Sequence, residues 1–130
     1  MERGEIDVID AFATALDSGD TSELRGCLDG RSLVHMPGGS GLGGDYQGMD
    51  AIVGLVDRLR EESGQTLRFT SRCVSAGPGH AVHLRGAVSG QRLDRALRTP
   101  ASLELRVVRG TIREVRLVCD DQRAWDAFWR

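Results

Sequence analysis

The hydrophobic periodicity changes once along this chain, and that change limits the fold more than any other feature. Up to Gly64 the apolar residues recur mainly at helical spacing, with one short strand-like stretch at 31–36, whereas from Gln65 to Cys119 they alternate as in strands. Helices and strands segregated in this way are typical of an α+β fold rather than a doubly wound α/β fold. The length of 130 residues suits one domain, which we assign to residues 1–130.

Three helices are predicted before the change of period. The first ends at Gly19, the second begins at an Asp20 N-cap, and the third begins at an Asp50 N-cap and ends at Gly64. A short strand over 31–36 separates the second helix from the third and stops at a proline, which cannot donate to a sheet. These helices are expected to cover one face of the sheet that follows.

The second half is predicted to form an antiparallel meander. Its strands begin near Leu67 and continue over 81–88, 91–97, 101–108 and 111–119. Residues 89–91 are expected to form a turn, and Thr99-Pro100 marks an edge, a bulge or a break. A last short helix over the aromatic tail needs a surface to pack against. If the sheet curls, the space between the sheet and the helices becomes a pocket.

The segment 38–48 is predicted to be a loop because it is rich in glycine. It contains a GxGxxG pattern at 39–44, but a dinucleotide site needs those glycines to join a strand directly to a helix within a βαβ unit. That context is missing. We interpret the segment as a flap over the pocket entrance, anchored by Tyr46.

Composition excludes several classes of function. The formal charge is −2, which disfavours nucleic-acid binding, and all 17 basic residues are arginines, which removes every lysine-based mechanism. The three cysteines are widely spaced, so a disulfide framework or zinc site is not expected. No signal peptide or membrane-spanning run is seen. We therefore predict a cytoplasmic protein with reduced thiols, and with no cofactor, metal, membrane or nucleic-acid partner.

Three stretches resemble a known family. Residues 10–20 resemble the first helix of the nuclear transport factor 2-like superfamily, 34–38 with 44–52 resemble the loop of its SnoaL-like branch, and 121–129 resemble a tail common in bacterial members. The resemblance spans nearly the whole chain. It implies a curved, mostly antiparallel sheet, three N-terminal helices wrapped around a conical pocket, a short C-terminal helix and, commonly, a homodimer.

One activity within that superfamily can be tested against the residues. Ketosteroid isomerases carry a tyrosine on the first helix and an aspartate just before the turn of the first strand. The matching positions here are Phe12 and Met36, and neither side chain can transfer a proton. The usual isomerase mechanism is therefore not expected.

Asp121, Asp120 and His35 are the candidates for acid–base catalysis. The resemblance to SnoaL-like cyclases favours one of the two aspartates, and burial where the sheet meets the tail would raise the pKa of Asp121 into a useful range. The alternative is that Asp121 only caps the last helix. His35 lies in the matched strand, where it could act as an acid or base or could simply hold the glycine-rich loop.

The pocket wall is predicted from the apolar stripes and the resemblance. The residues expected to contact a substrate are Phe12, Met36, Tyr46, Leu55, Leu59, His83 and Trp125.

The leading functional interpretation is a cofactor-independent acid–base enzyme. It would act on a small hydrophobic, carbonyl-bearing molecule, as a polyketide cyclase, isomerase or dehydratase does. The alternatives are a non-catalytic ligand-binding or accessory module and, further off, an epoxide hydrolase. A homodimer is predicted because one sheet face and the aromatic tail would otherwise lack a partner.

Overall fold

The computed structural model describes residues 5–38, 41–76 and 81–129. It contains the helices α1 (Glu5–Ser18), α2 (Thr21–Arg25), α3 (Met49–Glu62) and α4 (Gln122–Phe128). Its strands are β1 (Leu33–Met36), β2 (Gly44–Gln47), β3 (Arg68–Ala76), β4 (Ala81–Arg92), β5 (Arg95–Val108) and β6 (Thr111–Cys119).

The six strands form one mixed sheet in the order β2-β1-β6-β5-β4-β3. β1 runs parallel to β6, and the other described neighbours are antiparallel. The sheet curves around the N-terminal helices, with α1 against β3 and β6, while α4 packs on β5 and β6. The predicted α+β class, with N-terminal helices on a curved sheet and a short C-terminal helix, is confirmed.

The helix boundaries follow local capping. Asp20 caps α2 as predicted, since its side chain accepts a hydrogen bond from the Ser22 amide at 3.1 Å. The prediction that Asp50 caps α3 is wrong. Gly48 occupies the N-cap with a φ of +93°, and Asp50 lies in the first turn, where it pairs with Arg25 at 3.3 Å.

The turn between β4 and β5 lies three residues later than predicted. Ser89 and Gly90 are paired in the sheet with Arg98 and Leu97, and the chain reverses at Leu93-Asp94. Leu93 is 97% exposed and has a φ of +56°, a conformation that leucine rarely adopts. The composition of this segment therefore did not indicate a turn.

Thr99-Pro100 does not interrupt a strand, because β5 continues through it. The pairing of β5 with β6 ends at Ala101 and Cys119, one residue before Pro100 is reached. Pro100, which has no N–H to donate, therefore lies beyond the paired residues of β6. The Pro100 carbonyl accepts a hydrogen bond from the Asp120 amide at 2.9 Å instead. The missing donor therefore lies just beyond the paired part of β6.

Part of the predicted 38–48 loop forms a strand. Residues 44–47 pair with β1, and the Tyr46 hydroxyl donates to the Leu42 carbonyl at 2.9 Å. Composition pointed to a loop because the two glycines before Asp45 obscure this short edge strand. Residues 39–40 of the GxGxxG pattern lie outside the described residues.

The aromatic tail is buried within the protomer. Trp125, Phe128 and Trp129 are all buried, and Trp129 packs edge to face against both other rings. Arg92 and Arg95 donate to the Phe128 and Ala127 carbonyls at 3.1 Å, so part of the basic run binds the C-terminal end of α4. None of the helices in the described ranges is long and apolar enough to cross a membrane.

Only one of the three cysteines is expected to react with Ellman's reagent in the native protein. Cys73 is exposed, whereas Cys27 and Cys119 are buried, and burial raises the pKa of the Cys119 thiol to about 12. One fast equivalent is expected before denaturation and three after it. The variant Cys73→Ser should lose the fast equivalent, and a fast reaction that persists in this variant would contradict the assigned burial.

Candidate functional site

A cavity lies between the concave face of the sheet and the helices. Its volume is about 90 Å³. The wall is built from residues of α1, α3 and α4, of five strands, and of the turn that precedes β3. The lining residues are Phe12, Leu16, Val34, Met36, Ile52, Leu55, Val56, Leu59, Arg60, Leu67, Arg68, Phe69, Val88, Leu103, Val115, Leu117 and Trp125.

Five of the residues proposed to contact a substrate line this cavity: Phe12, Met36, Leu55, Leu59 and Trp125. The other two lie elsewhere. Tyr46 is on edge strand β2, and His83 lies in a shallow groove on the outer sheet face beside Glu104, Arg106 and Arg116. Contact with a substrate stays a prediction for all seven.

Asp121 lies just beyond the end of β6. Its side chain accepts a hydrogen bond from the Ala124 amide at 3.0 Å and caps α4, which confirms its predicted capping role. The side chain is exposed rather than buried, because the strand ends before it and the chain turns outward into the helix. Asp121 is not among the described residues that line the cavity.

Asp120 points to the outer face of the sheet. Arg85 donates to both of its carboxylate oxygens, with one contact at 2.8 Å, and also donates to the Ser102 hydroxyl. Both side chains of this pair are close to half exposed. The bond from Arg85 holds the pKa of Asp120 below its usual range, so this carboxylate is ionised at neutral pH.

His35 lies on the outer face as well, since its neighbours Val34 and Met36 face the cavity. Its Nδ1 is 2.7 Å from an oxygen of Asp45, and its Nε2 is 3.5 Å from one of Glu114. The three proposed catalytic residues are therefore not brought together, and their catalytic role stays a prediction. Within the described ranges, no cluster of three or more His, Cys, Asp or Glu residues could hold a metal ion.

Arg60 is one of the cavity residues that the sequence analysis did not predict, and the one whose charge makes its position unexpected. It is only 7% exposed, although it lies near the end of α3, where a charged residue usually faces solvent. Its guanidinium donates to the Leu67 carbonyl at 3.0 Å and to the Gln65 side chain and carbonyl at 3.3 and 3.4 Å. The spacing could have indicated that Arg60 is buried, because it follows the apolar residues Ile52 and Val56 at intervals of four.

Trp125 is a further lining residue whose side chain carries a hydrogen-bond donor. The residue is 1% exposed, and its indole Nε1 is buried and finds no acceptor in the portion of the chain that the structure describes. Together with Arg60 and Arg68, this gives the described wall three side chains with nitrogen atoms, and all three are hydrogen-bond donors. No aspartate, glutamate or histidine is among the described lining residues.

No protein-family model matches the sequence, and no curated protein matches it. Solved structures match strongly. A protein of unknown function with a cystatin-like fold from Xanthomonas campestris is 29% identical with a TM-score of 0.90, covering 98% of each chain. Bal32a, from a soil-derived mobile gene cassette, is 26% identical with a TM-score of 0.90, covering 96% of this chain and 95% of its own.

More distant structural neighbours carry functional descriptions. IdmH, a candidate polyketide cyclase from Streptomyces antibioticus, is 20% identical with a TM-score of 0.71, covering 92% of this chain and 94% of its own. Other neighbours are described as NTF2-like or as having a ketosteroid isomerase-like fold. The chain therefore has the nuclear transport factor 2-like fold, as the resemblance in its sequence predicted.

Proposed function

We propose that the protein binds a small hydrophobic molecule in the cavity between sheet and helices. The observation that carries this proposal is the composition of the wall, which is hydrophobic at every described position except Arg60 and Arg68. An apolar cavity releases water from a hydrophobic ligand and gains about 0.8 kcal/mol for each methylene group that it buries.

The volume argues for a small ligand. Pockets for drug-sized molecules are roughly 300–1,000 Å³, whereas this cavity is about 90 Å³. A short acyl chain or a single small ring suits that volume better than a polycyclic molecule, which would require the wall to move.

A series of neutral straight-chain amides, from butanamide to heptanamide, tests the proposal. Dissociation constants from NMR titration are expected to fall by roughly fourfold for each added methylene group until the cavity is filled. Affinities that do not depend on chain length would contradict hydrophobic binding in the cavity.

Acid–base catalysis on such a ligand is the second candidate function, favoured by the structural likeness to candidate polyketide cyclases. The geometry gives this function less support, because Asp121, Asp120 and His35 are engaged outside the described cavity wall. Catalysis would need one of them, or a bound water, to reach the ligand.

The variant Asp121→Asn separates capping from catalysis. Asparagine is also a good N-cap, so stability should change by less than about 0.5 kcal/mol, whereas Asp121→Ala should lose about 1 kcal/mol in urea unfolding. If Asp121 is the general acid or base, turnover of a cognate substrate should fall by about a hundredfold in Asp121→Asn, with Asp120→Asn as the control. Full turnover in Asp121→Asn would leave capping as its role.

A homodimer remains part of the proposal. The aromatic tail no longer supports it, since those rings are buried within the protomer. The outer sheet face still does, because Val118 is 42% exposed there beside the Arg85–Asp120 pair. Light scattering at micromolar concentration should give twice the mass of 14.1 kDa, and a monomer mass would contradict the dimer.

A cytoplasmic location likewise remains a proposal.

A further inference from the structure

Two arginines, Arg60 and Arg68, are among the described residues that line an otherwise apolar cavity. Arg60 lies near the end of α3 and Arg68 begins β3, so the two flank the turn that joins these elements. Neither forms an ion pair with a carboxylate in the described ranges of the chain. Arg60 is buried whereas Arg68 is only partly buried, and a buried charge is normally paired with an opposite charge.

Arg60 does not use all of its hydrogen-bond donors. Three of its five N–H groups donate to Gln65 and Leu67, and the other two find no acceptor among the residues that the structure describes. Arg68 donates to the same two backbone carbonyls, at 2.8 and 2.9 Å. Either arginine alone could hold the turn through these two carbonyls. The turn therefore does not explain why both arginines are present.

The surroundings of Arg60 disfavour its charged form. Burial lowers its pKa, and the neighbouring Arg68 lowers it further, while Asp57 acts in the opposite direction with a smaller effect. A carboxylate bound close to Arg60 would oppose both of these effects, because an opposite charge favours the charged form of the guanidinium.

The packing around Arg60 fixes where its guanidinium can be. A Cβ built on Gly19 would lie 2.0 Å from the Arg60 Cζ, so the guanidinium occupies the space that any other residue at position 19 would fill. The group is held against the end of α1 and cannot be regarded as a mobile surface side chain.

We propose that Arg60, assisted by Arg68, binds the carboxylate of a short hydrophobic acid whose carbon chain fills the cavity. This inference rests on the proposed function, since it names the class of ligand for the same cavity. The polar side chains among the described lining residues carry donors and no acceptors, which suits the acceptor oxygens of a carboxylate, and an arginine can bind a carboxylate with two parallel hydrogen bonds.

The test compares each straight-chain carboxylate with its neutral amide of equal length, using pentanoate with pentanamide and hexanoate with hexanamide. The wild-type protein should bind the carboxylate about tenfold or more tightly, the usual range for a charge-assisted hydrogen bond. In Arg60→Met the ratio of the two affinities should fall to about one, whereas Arg60→Lys should retain part of the preference.

Arg58→Met is the matched control. Arg58 lies on the same helix, is exposed, pairs with Glu62 and is not among the described residues of the cavity wall, so its loss removes the same charge without touching the site. The ratio should stay at its wild-type value in this variant. A variant that merely disturbs the fold would weaken both ligands together and leave the ratio unchanged.

The possible results distinguish carboxylate binding by Arg60 from hydrophobic binding in the cavity. If the amides bind with a chain-length dependence but carboxylates bind no better, the hydrophobic site stands and the role of Arg60 is overturned. An unchanged ratio in Arg60→Met also overturns it. The wild-type ratio alone decides the matter if Arg60→Met does not fold.

Discussion

Replacing Gly86 with alanine is expected to destabilise the protein by about 3 kcal/mol, the upper part of the range for overpacking. A Cβ at Gly86 would lie 2.1 Å from the Thr70 carbonyl oxygen and 2.9 Å from the Ser71 Cα. Both atoms belong to the backbone of β3 beside an irregularity in its pairing with β4, so no side chain can rotate away to make room. Urea unfolding of Gly86→Ala measures the loss.

Gly54→Ala is the control for this substitution. Gly54 lies within α3, and a Cβ there would meet nothing within 4 Å. Alanine is the better helix residue, so this variant should gain about 0.5–1 kcal/mol. A loss for Gly86→Ala no greater than 1 kcal/mol would mean that β3 and β4 are not as close at this point as the structure has them.

Trp125→Ala is expected to cost about 3–5 kcal/mol, because it empties the space of a fully buried indole at the cavity wall. Trp125→Phe should cost less than about 1.5 kcal/mol. It keeps an aromatic ring in contact with Trp129 and removes an N–H group that has no acceptor within the described residues, so no hydrogen bond is lost.

Chemical denaturation of both variants beside the wild type checks this difference. If Trp125→Phe loses as much stability as Trp125→Ala, the indole nitrogen makes a hydrogen bond that the structure does not contain. A small loss for the phenylalanine variant fits an indole N–H that makes no hydrogen bond within the described residues.

Much of the fold follows from hydrophobic periodicity. The apolar spacing gave the helices and the sheet-forming half correctly, and β6 has the predicted bounds of 111–119. The errors arose where tertiary contacts override local composition. Gly90 looks like a turn residue, but it is a paired strand position whose missing side chain leaves room for Leu67 and Phe128.

The site was only partly predictable for a related reason. Helical and strand spacing show which face of an element is buried, and they placed Phe12, Leu55 and Leu59 on the faces that line the cavity. Spacing does not show whether a charged residue on such a face turns back to solvent or stays inside. Arg60 stays inside because carbonyl oxygens of the following turn accept its hydrogen bonds, and those contacts exist only in the folded chain.

Methyl-detected NMR of the protein labelled at isoleucine, leucine and valine, titrated with hexanamide, tests the central claim most directly. Leu117 lines the cavity, whereas the adjacent Val118 lies on the outer sheet face, so the two report on opposite sides of one strand. The resonances of Leu55, Val88 and Leu117 should shift with a common dissociation constant while Val118 stays unchanged. Shifts at Val118 with none at the cavity methyls would place the ligand on the outer face and contradict binding in the cavity.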